Sequence, residues 1–353
     1  MRTRVPALLA GLVLLFSTQP AGAVSEITRL AGLNRYDTAA EVSCCNIDGS
    51  TRTFTTIVLA TGQHFPDALV GNYLAGIDNG ILLLTDGETI SDRAEEIVGD
   101  APPDTIANIY VLGSEEVVSD AAVDELVAAL PDGEAVRTTR IAGETDIDTA
   151  VDVARFRPTS IGGTSDSSKY AIVATIGGFA DSLAAAPIAF SSRFPILYAR
   201  PDDLPPQTKD ALDDLGITNV LIVGGTAAID NEVQTEITEL GIEVERLAGA
   251  TRQETAVEVA EWALSNDAEF DGQNFSLARG DNFADALSGG VHAGFIGSPI
   301  LLSQSSTQLG FAAAGFLQRQ SGTLERGWAY GGTGALSDDV LEQARIASDG
   351  ATP

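Results

Sequence analysis

The chain combines a large acidic excess with the apolar content of a folded protein. Its 353 residues include 50 Asp and Glu against 20 Lys and Arg, a formal net charge of −30, and 44% of them are hydrophobic. Nucleic acids and anionic membrane surfaces attract clusters of lysine and arginine, so the charge excludes both as simple partners. The apolar fraction excludes a disordered chain, and the length is enough for several hydrophobic cores.

Residues 1–23 have the pattern of a secretory signal peptide. Arg2 and Arg4 precede an apolar run over 5–16, and an A-x-A cleavage site occupies 21–23. The run is shorter than the roughly 20 residues that a membrane span needs, and small or polar residues interrupt every later apolar run. We therefore expect an exported, soluble protein with no transmembrane segment. Loss of the two arginines leaves 18 basic residues against 50 acids, a net charge of −32.

The next third of the chain alternates between strand and helix patterns. A short strand is expected over 25–31, and a helix is expected to start at Thr38, because Thr38 and Glu41 have the spacing of a capping box. An apolar strand then leads into a loop with Phe65 and Asp67 before an Ala/Leu-rich helix. The same alternation continues with strand 81–85, helix 91–98, strand 106–112 and helix 119–130. Such alternation predicts a mostly parallel sheet covered by helices.

This order of elements occurs three times. Each copy has a Phe-x-Asp junction between an apolar strand and the next helix: Phe65-Pro66-Asp67, Phe179-Ala180-Asp181 and Phe283-Ala284-Asp285. The Asp-to-Asp spacings of 114 and 104 residues indicate tandem domains rather than a solenoid of small repeats. We place the repeats at 24–137, 138–243 and 244–353. Thr149 and Thr255 repeat the expected helix start, and no Pro-rich or Gly/Ser-rich linker separates the units.

Three further motifs recur in order around each junction. They are an opening Arg-Leu/Ile-Ala-Gly that starts at Arg29, Arg140 and Arg246, an apolar strand at 81–84, 195–198 and 299–302, and a glycine strand end at Gly113, Gly224 and Gly331. Together with the junction, these motifs resemble the cell wall-binding repeat type 2 family over essentially all of the chain after residue 23. The resemblance implies α/β architecture, with three tandem Rossmann-like parallel-sheet modules packed around a pseudo-threefold axis. It also implies non-covalent attachment of a surface protein to anionic wall polymers of Gram-positive bacteria.

The repeated aspartates Asp67, Asp181 and Asp285 have two interpretations. Each directly precedes an Ala/Ser-Leu helix start, so the favoured role is a helix N-cap. The other role is in a ligand site, because helix starts also present free N–H groups to anions, although a carboxylate there would need a bridging cation. No second carboxylate or histidine recurs at a fixed spacing from them. Acid–base catalysis needs such a partner, so we expect binding without catalysis.

The repeated arginines Arg29, Arg140 and Arg246 are also open to two interpretations. A guanidinium group suits phosphate and carboxylate ligands, but an ion pair with a structural aspartate is equally expected in so acidic a chain. A second arginine follows six residues later as Arg35 and Arg252. The middle repeat has Asp146 at that position, so three equivalent ligand sites are in doubt.

The remaining reactive side chains form no repeated pattern. His64 and His292 occupy non-equivalent positions, and Cys44 and Cys45 occur in the first repeat alone. No metal site or cofactor is expected, because metal ligands must converge at suitable spacings. The adjacent cysteines could form a strained disulfide or pair between chains in an exported protein, and buried thiols are the alternative.

We therefore interpret the chain as a secreted, non-catalytic protein of the cell wall or cell surface. Its expected partner is an anionic wall glycopolymer, contacted through the arginines and the loops at strand carboxyl ends, with a cation bridge as an option. Two alternatives stay open: an accessory protein of a peptidoglycan amidase, and a structural subunit in a surface-layer assembly.

The opening strand of each repeat leaves the strand order undecided. If that strand completes the sheet of the preceding repeat, the third sheet lacks an edge strand, which only residues 25–31 could supply. Proteins normally cover such an edge, so we predict a ring in which the N-terminal strand closes the third sheet.

Overall fold

The computed structural model describes residue 24 and residues 26–44, 52–131, 136–164, 168–266, 269–283 and 285–353. The expected signal segment and Cys45 lie outside these ranges. The first repeat contains β1 (Ile27–Leu30), α1 (Arg35–Cys44), β2 (Thr56–Thr61), α2 (Pro66–Ile77), β3 (Gly80–Thr85), α3 (Asp92–Gly99), β4 (Asn108–Leu112) and α4 (Asp120–Ala129). The second contains β5 (Arg137–Ile141), α5 (Asp146–Phe156), β6 (Tyr170–Thr175), α6 (Ala180–Ser191), β7 (Ile196–Ala199), α7 (Pro206–Asp214), β8 (Asn219–Val223) and α8 (Asn231–Glu239). The third contains β9 (Glu243–Leu247), α9 (Arg252–Asn266), β10 (Asn274–Arg279), α10 (Gly289–Phe295), β11 (Ile300–Ser303), α11 (Phe311–Gln320), β12 (Arg326–Tyr330) and α12 (Asp338–Ser348).

The strands form three parallel four-stranded sheets of identical topology. Their strand orders are β3-β2-β4-β5, β7-β6-β8-β9 and β11-β10-β12-β1. In the first sheet, every residue of β2 and β3 is buried. Helices cover both faces of such a sheet, which explains why these strands are continuous apolar runs rather than alternating ones.

Each opening strand belongs to the sheet of the repeat before it. β5 pairs with β4 of the first repeat, and β9 pairs with β8 of the second. β1 crosses almost the whole sequence to pair with β12, with Ile27 opposite Gly327 and Leu30 opposite Tyr330. The predicted ring closure is therefore confirmed, and each sheet is offset from the sequence repeat by one strand.

The three repeats meet at a common centre. The rings of Phe65, Phe179 and Phe283 form a triangle with centroid separations of 6.2, 6.2 and 5.3 Å. Helices α2, α6 and α10 pack together behind this triangle through small residues: a Cβ added at Gly290 would lie 2.4 Å from the Cβ of Ala186. One core cluster contains residues of all three repeats. The modules are thus fused by a shared core around a pseudo-threefold axis.

The repeated threonines do not start helices, contrary to the prediction. α1, α5 and α9 begin three residues upstream, and the caps are formed by Asn34, Thr145 and Thr251. Thr38, Thr149 and Thr255 lie inside the helices, where each hydroxyl accepts a hydrogen bond from the glycine N–H of the opening motif at 3.0, 3.1 and 3.2 Å. The Thr-x-x-Glu spacing was misleading because a buried hydroxyl that bonds the preceding loop produces the same pattern as a cap.

No helix in the described ranges is both long and apolar enough to cross a membrane.

Candidate ligand-binding clefts between the repeats

The ring closure places the carboxyl end of each sheet against the first helix of the next repeat. We call the three resulting contacts joint 1–2, joint 2–3 and joint 3–1. Their aspartates are Asp67, Asp181 and Asp285, and the facing helices are α5, α9 and α1, respectively. Open parallel sheets bind ligands at this edge, where strands end and loops diverge.

None of the three aspartates is the predicted N-cap. The residue at the N-cap position of α2 is Phe65, and that of α6 is Phe179, with no side-chain capping bond at either. Asp67 and Asp181 each lie at the second helical position, and Asp285 lies in a turn before α10. In α2 and α6 the phenylalanine occupies the N-cap position while its ring packs in the central triangle, so these two helices start before the aspartate, whereas α10 starts after it.

Glycines at the strand ends make room for the aspartates. Gly113, Gly224 and Gly331 have φ values of +99°, +116° and +101°, a region that favours glycine. A Cβ added at these positions would lie 2.9, 2.8 and 2.8 Å from Oδ2 of the aspartate in the same joint. Each glycine N–H also donates to the carbonyl of the last residue in the opening strand that completes the sheet (β5, β9 or β1), at 2.9–3.0 Å. The group that approaches each of these glycines closely is therefore a carboxylate.

The opening arginines form hydrogen bonds with the same glycines. Arg29, Arg140 and Arg246 each donate from Nη1 to the glycine carbonyl, at 2.9, 3.0 and 2.9 Å. Arg29 and Arg140 also form ion pairs with Asp338 and Asp120, at 3.0 and 2.7 Å. These protein partners match the ion-pair alternative of the sequence analysis, while a ligand role for the same groups stays a hypothesis.

The second set of arginines faces the aspartates across two joints. Arg252 donates to the carbonyl of Gly280 at 2.8 Å, and its Cζ lies 6.0 Å from the centre of the Phe179 ring. At joint 3–1, Arg35 donates to the carbonyl of Gly62 at 2.9 Å, and its Cζ lies 5.9 Å from the centre of the Phe283 ring. Each arginine therefore links two repeats next to an aspartate.

Burial shifts the titration of all three aspartates. It raises the pKa of Asp181, while a hydrogen bond with Thr255 and the charge of Arg252 lower it. It also raises the pKa of Asp285, against a hydrogen bond with Thr38 and the charge of Arg35. At joint 1–2, burial and the charge of Asp146 act in the same direction and raise the pKa of Asp67 to about 7.

Joint 2–3 contains a cleft at the surface. It encloses about 560 Å³, and its lining comes from both sides of the joint. Gly177, Asp181 and Gly225 line the sheet side, and Thr251 and Arg252 line the side of α9. The cleft offers a guanidinium group, backbone groups and a hydroxyl, which are donors suited to an anionic or hydroxyl-rich ligand.

The other candidates from the sequence are not part of these clefts. His64 is exposed, and His292 is buried among Trp328 and Tyr330 behind the third sheet. Cys44 is buried at the end of α1, and its pairing with Cys45 falls outside the described residues. Within those residues, no group of three or more His, Cys, Asp or Glu side chains is arranged to hold a metal ion.

Comparison with known families decides the relationship. The family described as "Cell wall binding domain 2 (CWB2)" matches three times, at residues 29–123, 140–234 and 246–341. The chain belongs to the CWB2 family. The three matches begin at Arg29, Arg140 and Arg246, each of which lies in the opening strand that completes the sheet of the preceding repeat.

Two curated relatives of this CWB2 chain come from Bacillus subtilis. It is 29% identical to an "Amidase enhancer" over 322 residues, which is 90% of this chain and 40% of that protein. It is 31% identical to "N-acetylmuramoyl-L-alanine amidase LytC" over 170 residues, 48% of this chain and 32% of the amidase. The chain thus spans less than half of the length of either relative.

Two solved structures share the fold of the three repeats. "Cwp6 from Clostridium difficile" superposes with a TM-score of 0.78 at 21% identity and covers 94% of this chain and 49% of that one. "Cwp8 from Clostridium difficile" gives 0.75 at 21% identity, with 93% and 52% covered.

Proposed function

We propose that this CWB2 chain is a non-catalytic binding protein for an anionic glycopolymer of the cell wall. The observation that carries the proposal is the cleft at the carboxyl end of the second sheet, where Arg252 faces Asp181 across joint 2–3, together with the matching arrangement of Arg35 and Asp285 at joint 3–1. Membership of the CWB2 family supports the cell wall as the location of the ligand. Export through residues 1–23 belongs to the same proposal.

The polymer's anionic groups meet a guanidinium group at two of the three joints. A charge-assisted hydrogen bond to phosphate or carboxylate contributes about 1.5–3 kcal/mol, more than a neutral one. Because the same clefts carry carboxylates and the whole chain is acidic, direct contact is opposed by repulsion. We propose that cations bridge part of the contact.

A sedimentation assay with purified Gram-positive walls tests this function. We expect Arg252→Gln and Arg35→Gln each to weaken retention about tenfold, the effect of roughly 1.4 kcal/mol, because each removes one charged donor from a cleft. The matched control is Arg326→Gln, whose arginine is exposed at the amino-terminal end of β12, on the opposite edge of a sheet. Equal retention of all three variants would contradict the proposed clefts.

The opening arginines provide a second arm of the same assay. If Arg140 is structural, Arg140→Ala lowers the free energy of unfolding by about 1–3 kcal/mol, because the carbonyls of Gly113 and Val118 lose their donor. The folded fraction then binds walls normally. Arg137→Ala, an exposed arginine on the same strand, is the control. A loss of retention at unchanged stability would instead assign Arg140 to the ligand.

The similarity to an amidase enhancer favours one second candidate, an accessory role toward a peptidoglycan amidase. An assay of wall lysis by a purified amidase, with and without this chain, tests it. Stimulation that persists after Arg35 and Arg252 are replaced would separate this role from polymer binding, and absence of stimulation would leave polymer binding alone.

A further inference from the structure

The threefold repetition of the arginine that faces each aspartate is broken at joint 1–2. The position six residues after the opening arginine is Arg252 at joint 2–3 and Arg35 at joint 3–1, but Asp146 at joint 1–2. Asp146 lies in the first turn of α5 and is exposed. The joint therefore presents a carboxylate where its two counterparts present a guanidinium group.

The aspartate on the other side of this joint lacks the support that its counterparts have. Asp67 is only 6% exposed, and its Oδ1 has no hydrogen-bond partner. Asp181 and Asp285 each face an arginine and a threonine hydroxyl, from Thr255 and Thr38. Thr149 is at the matching position of α5, and among the described residues it bonds the N–H of Gly143 but not Asp67.

In the part of the chain that the structure describes, no positively charged side chain influences the pKa of Asp67. The neighbouring Tyr198 is fully buried. Its hydroxyl donates to the carbonyl of Pro66 at 2.9 Å and not to the carboxylate of Asp67. Asp146 acts electrostatically on both Asp67 and Tyr198. An acid in the first turn suits the dipole of α5, but that explains Asp146 alone and leaves the unpartnered oxygen of Asp67 unexplained.

We infer that joint 1–2 binds a divalent cation between Asp67 and Asp146. Carboxylate oxygens are the donors that Ca²⁺ and Mg²⁺ prefer. Two carboxylates leave most coordination positions to water, backbone oxygens or anionic groups of a ligand, as in sites where Mg²⁺ joins one or two carboxylates to a phosphate. The first cleft thus recognises an anion through a metal ion, whereas the other two use arginine. This bridging role rests on the proposed function, but cation binding itself does not.

Titration calorimetry with CaCl₂ on the metal-free protein, without wall material, tests the site. We expect one site with a Kd on the order of 0.1–1 mM, the range of extracellular calcium modules. Asp146→Arg installs the residue of the other two joints and should weaken binding at this site at least tenfold. Asp67→Asn should do the same, and it should fold well because it removes an uncompensated buried charge.

Non-specific attraction of Ca²⁺ to so acidic a chain requires a charge-matched control. Glu239→Arg changes the charge by the same amount as Asp146→Arg, at an exposed position at the end of α8. It should leave the site intact. Binding that is equal in the wild type and all three variants, or absent in the wild type, would overturn the inference, and the second result would mean that Asp67 holds a proton instead.

The two proposals fail in different ways. If Ca²⁺ binds at joint 1–2 but the protein does not sediment with walls, the proposed function is wrong and the cation site stands. If the protein sediments with walls equally in chelator and in Ca²⁺, and calorimetry shows no site, the cation site is wrong and polymer binding stands.

Discussion

Three residue positions carry most of the physical chemistry of each joint. The aspartate of the Phe-x-Asp motif sits over a strand-end glycine, and the opening arginine holds the carbonyl of that same glycine. The glycine is needed because its φ is positive and because a Cβ would strike the carboxylate. The sequence identified all three positions, but only their contacts show that they form one unit.

His292 is a buried residue whose role the sequence did not indicate. Its Nδ1 lies 2.9 Å from the hydroxyl of Tyr330, which in turn contacts Ser276 Oγ at 2.8 Å. Burial, with a smaller effect from the charge of Arg52, lowers the pKa of His292 from 6.5 to about 3. The folded protein therefore keeps this imidazole neutral where an unfolded chain would protonate it.

This shift predicts acid sensitivity. The pKa of His292 is lower in the folded protein than in the unfolded chain. Its contribution to the free energy of unfolding is therefore complete above pH 6.5 and is lost as the pH falls toward 3. At pH 5 the loss is about 2 kcal/mol, from about 1.4 kcal/mol per pKa unit. Chemical denaturation at pH 7.5 and pH 5 should show this loss in the wild type and a loss smaller by that amount in His292→Gln. His64→Gln, at an exposed histidine, is the control, and parallel profiles for the wild type and His292→Gln would refute the explanation.

At the scale of the element, the opening strand is the feature that joins repeats. β5, β9 and β1 each complete a sheet whose other three strands come from the repeat before, or, for β1, from the far end of the chain. Parallel pairing along four residues of β1 brings the N-terminal repeat into the third sheet. An uncovered β12 would be an edge open to pairing with other chains.

Removing β1 should therefore affect a distant repeat. We expect deletion of residues 24–32 to increase amide exchange in β12, including Trp328 and Tyr330, at least tenfold, in addition to loosening α1. The reason is that β12 loses its neighbour and the third sheet gains an exposed edge. Deletion of residues 351–353, an exposed tail, should leave β12 protected. Unchanged exchange in the third sheet after removal of β1 would refute a stabilising role for the closure.

At the scale of the whole molecule, charge and ring closure act together. The ring gathers three joints around one shared core, so that several weak contacts with one polymer can act at the same time. The net charge of −30 opposes the approach of an anionic polymer. Screening shortens the range of that repulsion from about 10 Å at 0.1 M salt to about 3 Å at 1 M.

Wall retention should consequently increase between 0.1 M and 1 M NaCl, and further with millimolar Ca²⁺. The measurement is the bound fraction in the sedimentation assay, with walls stripped of their anionic polymer as the control that should show no increase. A steady fall in binding with salt, and no response to Ca²⁺, would mean that direct attraction between arginine and anion dominates and that the repulsion argument is wrong.

The sequence by itself determined the α/β class, the threefold repetition and most elements. Strands with all residues apolar, such as residues 81–84, and the Phe-x-Asp junctions specify buried parallel strands locally, because both faces of the sheet must be covered. Ring closure could be proposed because a missing edge strand at the end of the third repeat required a source. Most of these inferences rest on local residue patterns, and ring closure rests on the requirement that the edge of the third sheet be covered. Both kinds of information are present in the sequence.

Tertiary structure decided what the polar residues do. Thr38 and Asp67 carry the pattern of helix caps, but the Thr38 hydroxyl accepts a hydrogen bond from the N–H of Gly32 in the preceding loop, and Oδ1 of Asp67 has no partner among the described residues. The main partners of Arg140 are carbonyls 22 and 27 residues away. Asp146 appeared in the sequence as a departure from a pattern. Its position across the joint from the buried Asp67, whose Oδ1 has no hydrogen-bond partner among the described residues, follows only from the ring, because the two residues belong to different repeats.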